Sequence, residues 1–293
     1  MSFKSGFVSL IGNPNVGKST LLNALLGQKL SIITPKPQTT RHRIHGILNG
    51  DNYQIVFSDL PGLVKPAYKL QEKMMNFVRS SLNDSDLFLF MTDIYETGFH
   101  DEKLIASVSS AGKPKILALN KTDTCDEKKT EERIIHWKNI FPGVMIIPVS
   151  ARTGYNLNVL VGEIVKNIPE SPAYYPDDTV TDRNERFFVS EIIREKILLQ
   201  YRQEIPYSSE VQVEEFEEKE KITLIHASLI VMRESQKMII LGKKGEAIRK
   251  LGITAREEIE KFLRKKVFLD IRVEVKKEWR EDERLLKKFG YCT

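Results

Sequence analysis

The sequence predicts a doubly wound α/β domain followed by a smaller α+β domain. Three observations carry that reading. From residue 6 to about 168, short apolar runs alternate with helical patterns, as a mostly parallel sheet with helices on both faces requires. "GNPNVGKST", residues 12–20, sits at the first strand-to-helix junction, where such sheets carry a phosphate-cradling loop. "IPESPAYYPDDTVTD", with Pro169, Pro172 and Pro176 in one polar stretch, then stops the alternation. The expected boundaries are a first domain over 1–170, a linker over 171–182 and a second domain over 183–293, a length ample for two cores.

In the first domain the strands are expected in "FVSLIG", "YQIVFSDLPG", "DLFLFMTDI", "KILALNK" and "VMIIPVSA", with "IHGILNG" as an antiparallel edge strand. Helices are expected at 18–28, 69–82, 101–111, 127–140 and 156–167. Ligand chemistry should then lie at the carboxyl ends of the strands. The second domain reads as a helix near 185–201, two β runs ("SSEVQVEEFEE" and "KITLIHASLIVM"), two helices around "LGKKGEAIRKLG" and a last strand in "VFLDIRVEVKKEW". The run Glu214, Glu215, Glu217, Glu218, Glu220 fits the solvated face of a hairpin.

Composition bounds the function. With 41% apolar and 29% charged residues the chain is globular, and a net charge of +5 permits a nucleic-acid partner without requiring one. Cys125 and Cys292 form no CxxC pattern, so neither a disulfide framework nor a zinc site is expected. Lys4 precedes an apolar stretch too short for a signal peptide, and no run reaches membrane-spanning length. A soluble, cytoplasmic, monomeric protein is the expectation.

The spacing Gly12, Gly17, Lys18, Ser19 is that of a loop whose main chain over Asn13, Pro14, Asn15 and Val16 through Thr20 surrounds α- and β-phosphates, every residue but Pro14 having a backbone N–H to offer. Lys18 would reach the β- and γ-phosphates and Ser19 would take one Mg²⁺ position. "DLPG" then offers Asp59 for Mg²⁺, through water, and the Gly62 N–H for the γ-phosphate. "NKTD" ends the next strand but one, and Asp123 there can accept two hydrogen bonds from guanine N1–H and the N2 amine, donors that adenine lacks. Asn120 and Lys121 would shape the base pocket, and "SAR" would bring Ser150 and the Ala151 N–H near guanine O6. These four motifs together select GTP over ATP.

"TPKPQTTRHRI" lies between the first two motifs and reads as a switch whose Thr closes on Mg²⁺ and the γ-phosphate, with Thr40 the first choice and Thr39 the fallback. Lys18, Thr40 and Gly62 are therefore the candidate catalytic residues. Leu63 follows "DLPG" where Ras-like GTPases carry the Gln that orients water, so slow turnover is expected. His42 and His45 read as bystanders.

In the second domain "GKKG", Gly242–Gly245, joins two helical runs. A GxxG turn lets backbone approach a sugar-phosphate chain over about four nucleotides, though a plain helix-to-helix turn explains the bare pattern as well. Charge favours RNA: residues 237–266 hold ten Lys or Arg against four Glu. Lys243, Lys244, Arg249 and Lys250 are the expected phosphate contacts. Ile239, Ile240, Leu241 and Ile248 are open to either base contact or core packing, and Trp279 to base stacking or packing, the latter preferred. A membrane-surface helix over 256–266 competes less well, because its glutamates repel anionic lipid.

"GNPNVGKST", "QTTRHRI", "DLPG", "NKTD" and "VSA", with the C-terminal "GKKG" module, resemble the Era family of bacterial ribosome-assembly GTPases over essentially the whole chain. The resemblance implies a P-loop GTPase domain followed by a type II KH domain of α-β-β-α-α-β order. It implies GTP, GDP and Mg²⁺ as ligands and a K⁺ held partly by Asn15. It also implies an apolar residue at Leu63, binding near the 3′ end of 16S ribosomal RNA, action on the 30S subunit, and peripheral contact with the cytoplasmic face of the membrane. Two other classes compete: a non-enzymatic RNA-binding scaffold that uses nucleotide only as a conformational ligand, and an ATP-dependent kinase or transporter, which Asp123 argues against.

Overall fold

Backbone groups buried beneath a core must pair with one another, and in the computed structural model, which describes residues 2–291, two sheets do this. The chain divides into two compact units, one holding residues up to Ala67 with Gln71–Asp182, the other Tyr68–Leu70 with the residues from Arg183 onward.

The first unit runs β1 (Lys4–Ile11), α1 (Lys18–Leu26), β2 (Ile44–Gly50), β3 (Tyr53–Asp59), α2 (Lys69–Asp84), β4 (Leu87–Asp93), α3 (Glu102–Ser110), β5 (Lys115–Asn120), α4 (Glu127–Ile140), β6 (Met145–Pro148) and α5 (Leu157–Asn167). The six strands lie in the order β2-β3-β1-β4-β5-β6, parallel except for β2, which pairs antiparallel with β3. All seven residues of β4 are buried, as a central strand covered on both faces must be. Val8, Leu10, Ile55, Phe57, Leu89 and Met91 meet Leu21 and Leu22 of α1 and Leu160 and Ile164 of α5 in one core. The helix ends follow local chemistry: α1 stops at Leu26 because Gly27 turns left-handed at φ +65°, and Asp126 caps α4 by accepting the Lys129 N–H at 2.8 Å.

The proline-rich segment 171–182, expected as a linker, is tied down by hydrogen bonds. It lies along the first unit, with the Ile47 N–H donating to Val180 O at 2.9 Å and the Gln54 amide exchanging bonds of 2.8 Å with Tyr174 and Tyr175. The reason is the open edge of β2, whose unpaired backbone groups this strap covers.

The second unit runs α6 (Glu185–Gln200), α7 (Ile205–Ser208), β7 (Glu210–Glu218), β8 (Ile222–Val231), α8 (Glu234–Leu241), α9 (Glu246–Leu263), β9 (Lys266–Val275) and α10 (Glu283–Lys288). β7 and β8 form an antiparallel hairpin and β9 joins parallel to β8. Ile193, Ile197, Leu251, Ile259, Ile225 and Leu229 fill its core. Glu214, Glu215, Glu217, Glu218 and Glu220 are all exposed on or just after the hairpin strand. Trp279 is buried and donates its indole N–H to Ser208 O at 2.9 Å, so it packs rather than stacks a base. Cys125 is a free thiol, and Cys292 lies outside the described residues. Among the described residues no helix is long and apolar enough to cross a membrane.

Ile193 is fully buried in the second core, so Ile193→Ala should cost about 2–5 kcal/mol in chemical unfolding of that unit. A loss below about 1 kcal/mol would contradict this packing.

Candidate functional site

β1 ends at Ile11 and α1 begins at Lys18, so residues 12–17 turn over the carboxyl edge of the sheet. Two glycines permit that turn. A Cβ on Gly12 would stand 2.2 Å from the Met91 carbonyl oxygen, and one on Gly17, at φ +103°, would stand 2.3 Å from Asn120 Nδ2. Behind the turn opens a cavity of about 570 Å³. Pro14, Asn15, Gly17, Lys18, Ser19 and Thr20 wall one side, and Thr40 and Gly62 another. Asn120, Lys121, Asp123 and Ala151 close the far end.

Not every expected residue faces this cavity. Gly12 and Val16 support the turn from behind, Val16 being buried in the core. Asn13 contributes its carbonyl to Lys18, but its side chain turns away, so the expectation that it contacts nucleotide holds at most for its main chain. Asp59 and Ser150 are buried beneath the surface that lines the cavity.

The phosphate end is built from desolvated charge. Lys18 Nζ donates to the carbonyls of Gly12 and Asn13, each at 2.9 Å, and burial pulls its pKa down to about 8, against the opposing pull of Asp59. Burial raises the Asp59 carboxyl, offset by the Ser19 hydrogen bond and by Lys18. The Ser19 hydroxyl lies 2.8 Å from Asp59 Oδ2 and 2.9 Å from the Thr40 hydroxyl. Asp59 Oδ1 is buried and makes no hydrogen bond. Two hydroxyls and an orphaned carboxylate oxygen form a hard-oxygen set suited to Mg²⁺, either directly or through water. Thr39 also lines the cavity but donates its hydroxyl to Lys36 O at 2.7 Å, so of the two threonines Thr40 is the one whose hydroxyl meets Ser19.

Gly62 lies against the turn: a Cβ there would come within 2.8 Å of Pro14 backbone. Leu63 is 0% exposed, and its N–H donates to Gly12 O at 3.2 Å, so its side chain belongs to the core rather than to a water site. His42 and His45 are also buried, the first against the Phe77 ring and the second beside Asp182.

At the base end Asn120 ties two loops together, donating to Val16 O at 2.8 Å and accepting the Ala151 N–H at 2.9 Å. Asp123 accepts from the Ser150 hydroxyl at 2.6 Å and pairs with the Arg152 guanidinium. Those two contacts, Ser150 first, hold its carboxyl below the usual range, so it is an acceptor at neutral pH. Arg152 was not among the expected site residues, and neither was Asp93, which pairs with Lys121 at 2.5 Å. Asp93 had a signal in its position at the carboxyl end of a buried strand.

The second unit carries a separate feature. Gly242 ends α8 at φ +70°, where a Cβ would stand 2.6 Å from that of Ala247, and Gly245 opens α9 at φ +78° with nothing crowding it. Lys243, Lys244, Arg249 and Lys250 are exposed. Beside this turn a cleft of about 280 Å³ is lined by Ile248, Arg249, Gly252, Ile253, Arg256, Leu269 and Ile271. Ile248 is therefore at the cleft, whereas Ile240 is buried core and Ile239, 49% exposed, lies outside the cleft lining. Arg256 and Ile253 were not anticipated, although 249, 253 and 256 share one helix face.

Residues 7–121 match the family described as 50S ribosome-binding GTPase, and residues 204–280 match the KH domain. The GTPase Era of Halothermothrix orenii is 46% identical over 293 residues, spanning 99% of both chains. The chain belongs to the Era family of GTPases. The Era of Geobacter metallireducens is likewise 46% identical, over 99% of this chain and 98% of its own. A crystal structure of Era in complex with MgGDPNP and nucleotides 1506–1542 of 16S ribosomal RNA has a TM-score of 0.95 and 38% identity, over 99% of this chain and 100% of that one. Aquifex aeolicus Era, as a point variant bound to GDP and AlF₄⁻, has a TM-score of 0.95 at 37% identity over the same shares. The Era architecture is thus a P-loop GTPase domain followed by a KH domain, as in this chain.

Two predictions follow from the charges. Asp123→Asn should weaken GTP binding and strengthen xanthosine triphosphate binding, because the xanthine C2 oxygen needs a donor; unaltered GTP affinity in a titration would contradict the base site. For Lys18, with a folded pKa of about 8 against about 10.5 unfolded, the unfolded chain binds more protons between those values, so stability rises with pH there. In nucleotide-free protein the unfolding free energy relative to Lys18→Met should climb by about 2 kcal/mol from pH 8 to 10. A flat difference would mean that Lys18 is not desolvated.

Proposed function

We propose that this chain is a GTP-hydrolysing switch that binds Mg²⁺·GTP in the first unit and the single-stranded 3′ region of 16S ribosomal RNA in the second, acting in 30S subunit assembly. The observation that carries the reading is the meeting of Ser19, Thr40 and Asp59 at one end of a cavity whose other end presents the Asp123 carboxylate. One end suits a metal-bound triphosphate, the other a purine with two adjacent donors. The relative held with both MgGDPNP and 16S RNA adds the second ligand.

Lys18 would hold the β- and γ-phosphates, its charge shift reversed by phosphate. The Gly62 N–H and Thr40 would close on the γ-phosphate. When bound, Mg²⁺ supplies neutralisation of charge on the phosphate oxygens. Buried Leu63 orients no water, so turnover without a partner is slow, about 10⁻⁴ to 10⁻² per second as in unassisted GTPases. Asn15 donates its Nδ2 to Pro35 O at 3.1 Å, which leaves Oδ1 as the atom to ligate K⁺. In the second unit, Gly242, Lys243, Lys244 and Gly245 would receive the RNA backbone, Arg249 and Lys250 would flank it, and the apolar cleft would take unstacked bases. We further infer a first domain over 1–170, a linker over 171–182 that packs with it as a strap, a second domain over 183–293, a monomer, and a cytoplasmic protein with peripheral contact at the inner membrane surface.

Replacing K⁺ by Na⁺ should slow phosphate release, and Asn15→Ala should abolish the K⁺ effect; equal rates in both salts would remove Asn15 from this role. Replacing Lys243 and Lys244 together by Ala should flatten the log-log salt dependence of binding to an rRNA 3′-end oligonucleotide by about 1.4. GTP turnover without RNA should persist in that variant. An unaltered slope and affinity would move the charge of this turn to another use.

A further inference from the structure

Asn13 stands second in the phosphate loop, yet its amide faces the segment that follows β4. The residue is 1% exposed. Its Nδ2 donates to Glu96 Oε2 at 2.6 Å and to the Gly98 carbonyl at 2.9 Å, while Oδ1 accepts the His100 N–H at 2.9 Å. A carbonyl only accepts and a backbone N–H only donates, so Gly98 and His100 fix which end of the amide is nitrogen. The main-chain carbonyl of the same residue accepts from Lys18 Nζ. One residue thus holds the phosphate lysine with its backbone and residues 96–100 with its side chain.

That segment is also fastened to the base end. The N–H groups of Tyr95 and Glu96 donate to Asp93 Oδ1 at 2.9 and 3.1 Å, and Asp93 Oδ2 takes the Lys121 ammonium. The Tyr95 hydroxyl donates to Thr124 at 3.0 Å, and Arg133 Nε donates to Ile94 O at 2.9 Å. Behind the cavity, the phosphate loop and the "NKTD" loop are therefore joined through residues 94–100, and the contact between Asn13 and Glu96 is one joint of that link.

We propose that Asn13 is a positioning residue, with Glu96 as its partner: the clamp locks the phosphate loop to the base loop and so sets how long guanine nucleotide stays bound. The proposal rests on the nucleotide reading of the cavity. A hydrogen bond to a charged acceptor is among the stronger neutral-to-ion contacts, and losing it leaves the half-buried Glu96 carboxylate without this donor. The effect belongs in the dissociation rate, because the clamp faces away from the ligand and leaves the entrance unaltered.

The test uses the full chain and the release of a fluorescent GDP in Mg²⁺ buffer. Asn13→Ala should speed release about tenfold, with association changed less than about threefold. Asn13→Asp sets a carboxylate against Glu96 and should speed release further. Asn13→Asp with Glu96→Gln restores a donor–acceptor pair at residue 96, while the new carboxylate still faces the Gly98 carbonyl, so it should recover part of the loss, which a merely structural role would not do. Melting of the nucleotide-free variants separates loss of fold from loss of grip, and Glu96→Ala alone, which removes the acceptor on a more exposed side chain, keeps the test available if Asn13→Ala fails to fold. Wild-type release rates in Asn13→Ala and Glu96→Ala, or a double variant as fast as Asn13→Asp, would overturn the proposal. Failure of the wild-type chain to bind GDP at all would instead overturn the nucleotide reading beneath it.

Discussion

A lysine ammonium drawn out of water, with only carbonyls and one partly offset carboxylate around it, is the constraint on which the first unit depends. Lys18 carries a pKa of about 8 because burial outweighs the field of Asp59. Such a group is costly to hold and becomes favourable when an anion arrives. The glycines at 12 and 17, the buried Asn120 and the clamp at Asn13 serve that arrangement by fixing the loop around it. The same logic applies to Asp59, whose Oδ1 lacks a partner and whose Oδ2 meets Ser19. Function and local instability coincide here, as preorganised electrostatic sites require.

Much of this was legible in the sequence because it lies in the order of short motifs. The strand-to-helix position of "GNPNVGKST" placed Lys18 and Ser19, and "NKTD" placed Asp123, from spacing alone. Thr40 over Thr39 was a choice between neighbours, and only the 2.9 Å approach to Ser19 separates them. The side-chain direction of Asn13 was not legible, since its partners lie more than eighty residues away. Asp93 and Arg152 share that character, each meeting its partner across loops. The short helices α7 and α10 escaped because four and six residues are too few for a periodicity to register. The proline-rich strap was read by composition as a linker, while its backbone pairing with β2 depends on an edge visible only once the sheet is assembled.

The second unit follows a different rule. Its turn at Gly242–Gly245 is held open by backbone geometry, and its charge is exposed rather than buried. Exposed lysines and arginines beside an apolar cleft suit a flexible polyanion whose bases seek cover. Buried charge selects a small, fixed ligand, and exposed charge a long, mobile one. The two sites, Lys18 in the first unit and the Gly242–Gly245 turn in the second, therefore place their cations at opposite depths for physical reasons.

The account is tested most directly by the melting temperature of the nucleotide-free chain titrated with Mg²⁺·GDP and, separately, Mg²⁺·ADP. A ligand bound only to the folded state raises stability in proportion to the logarithm of its concentration above Kd. The arrangement of Lys18, Asp59 and Asp123 predicts a rise with GDP that grows logarithmically above Kd and shrinks when Mg²⁺ is chelated, and almost none with ADP at equal concentration. Equal rises with both nucleotides, or a rise with GDP that ignores Mg²⁺, would contradict it.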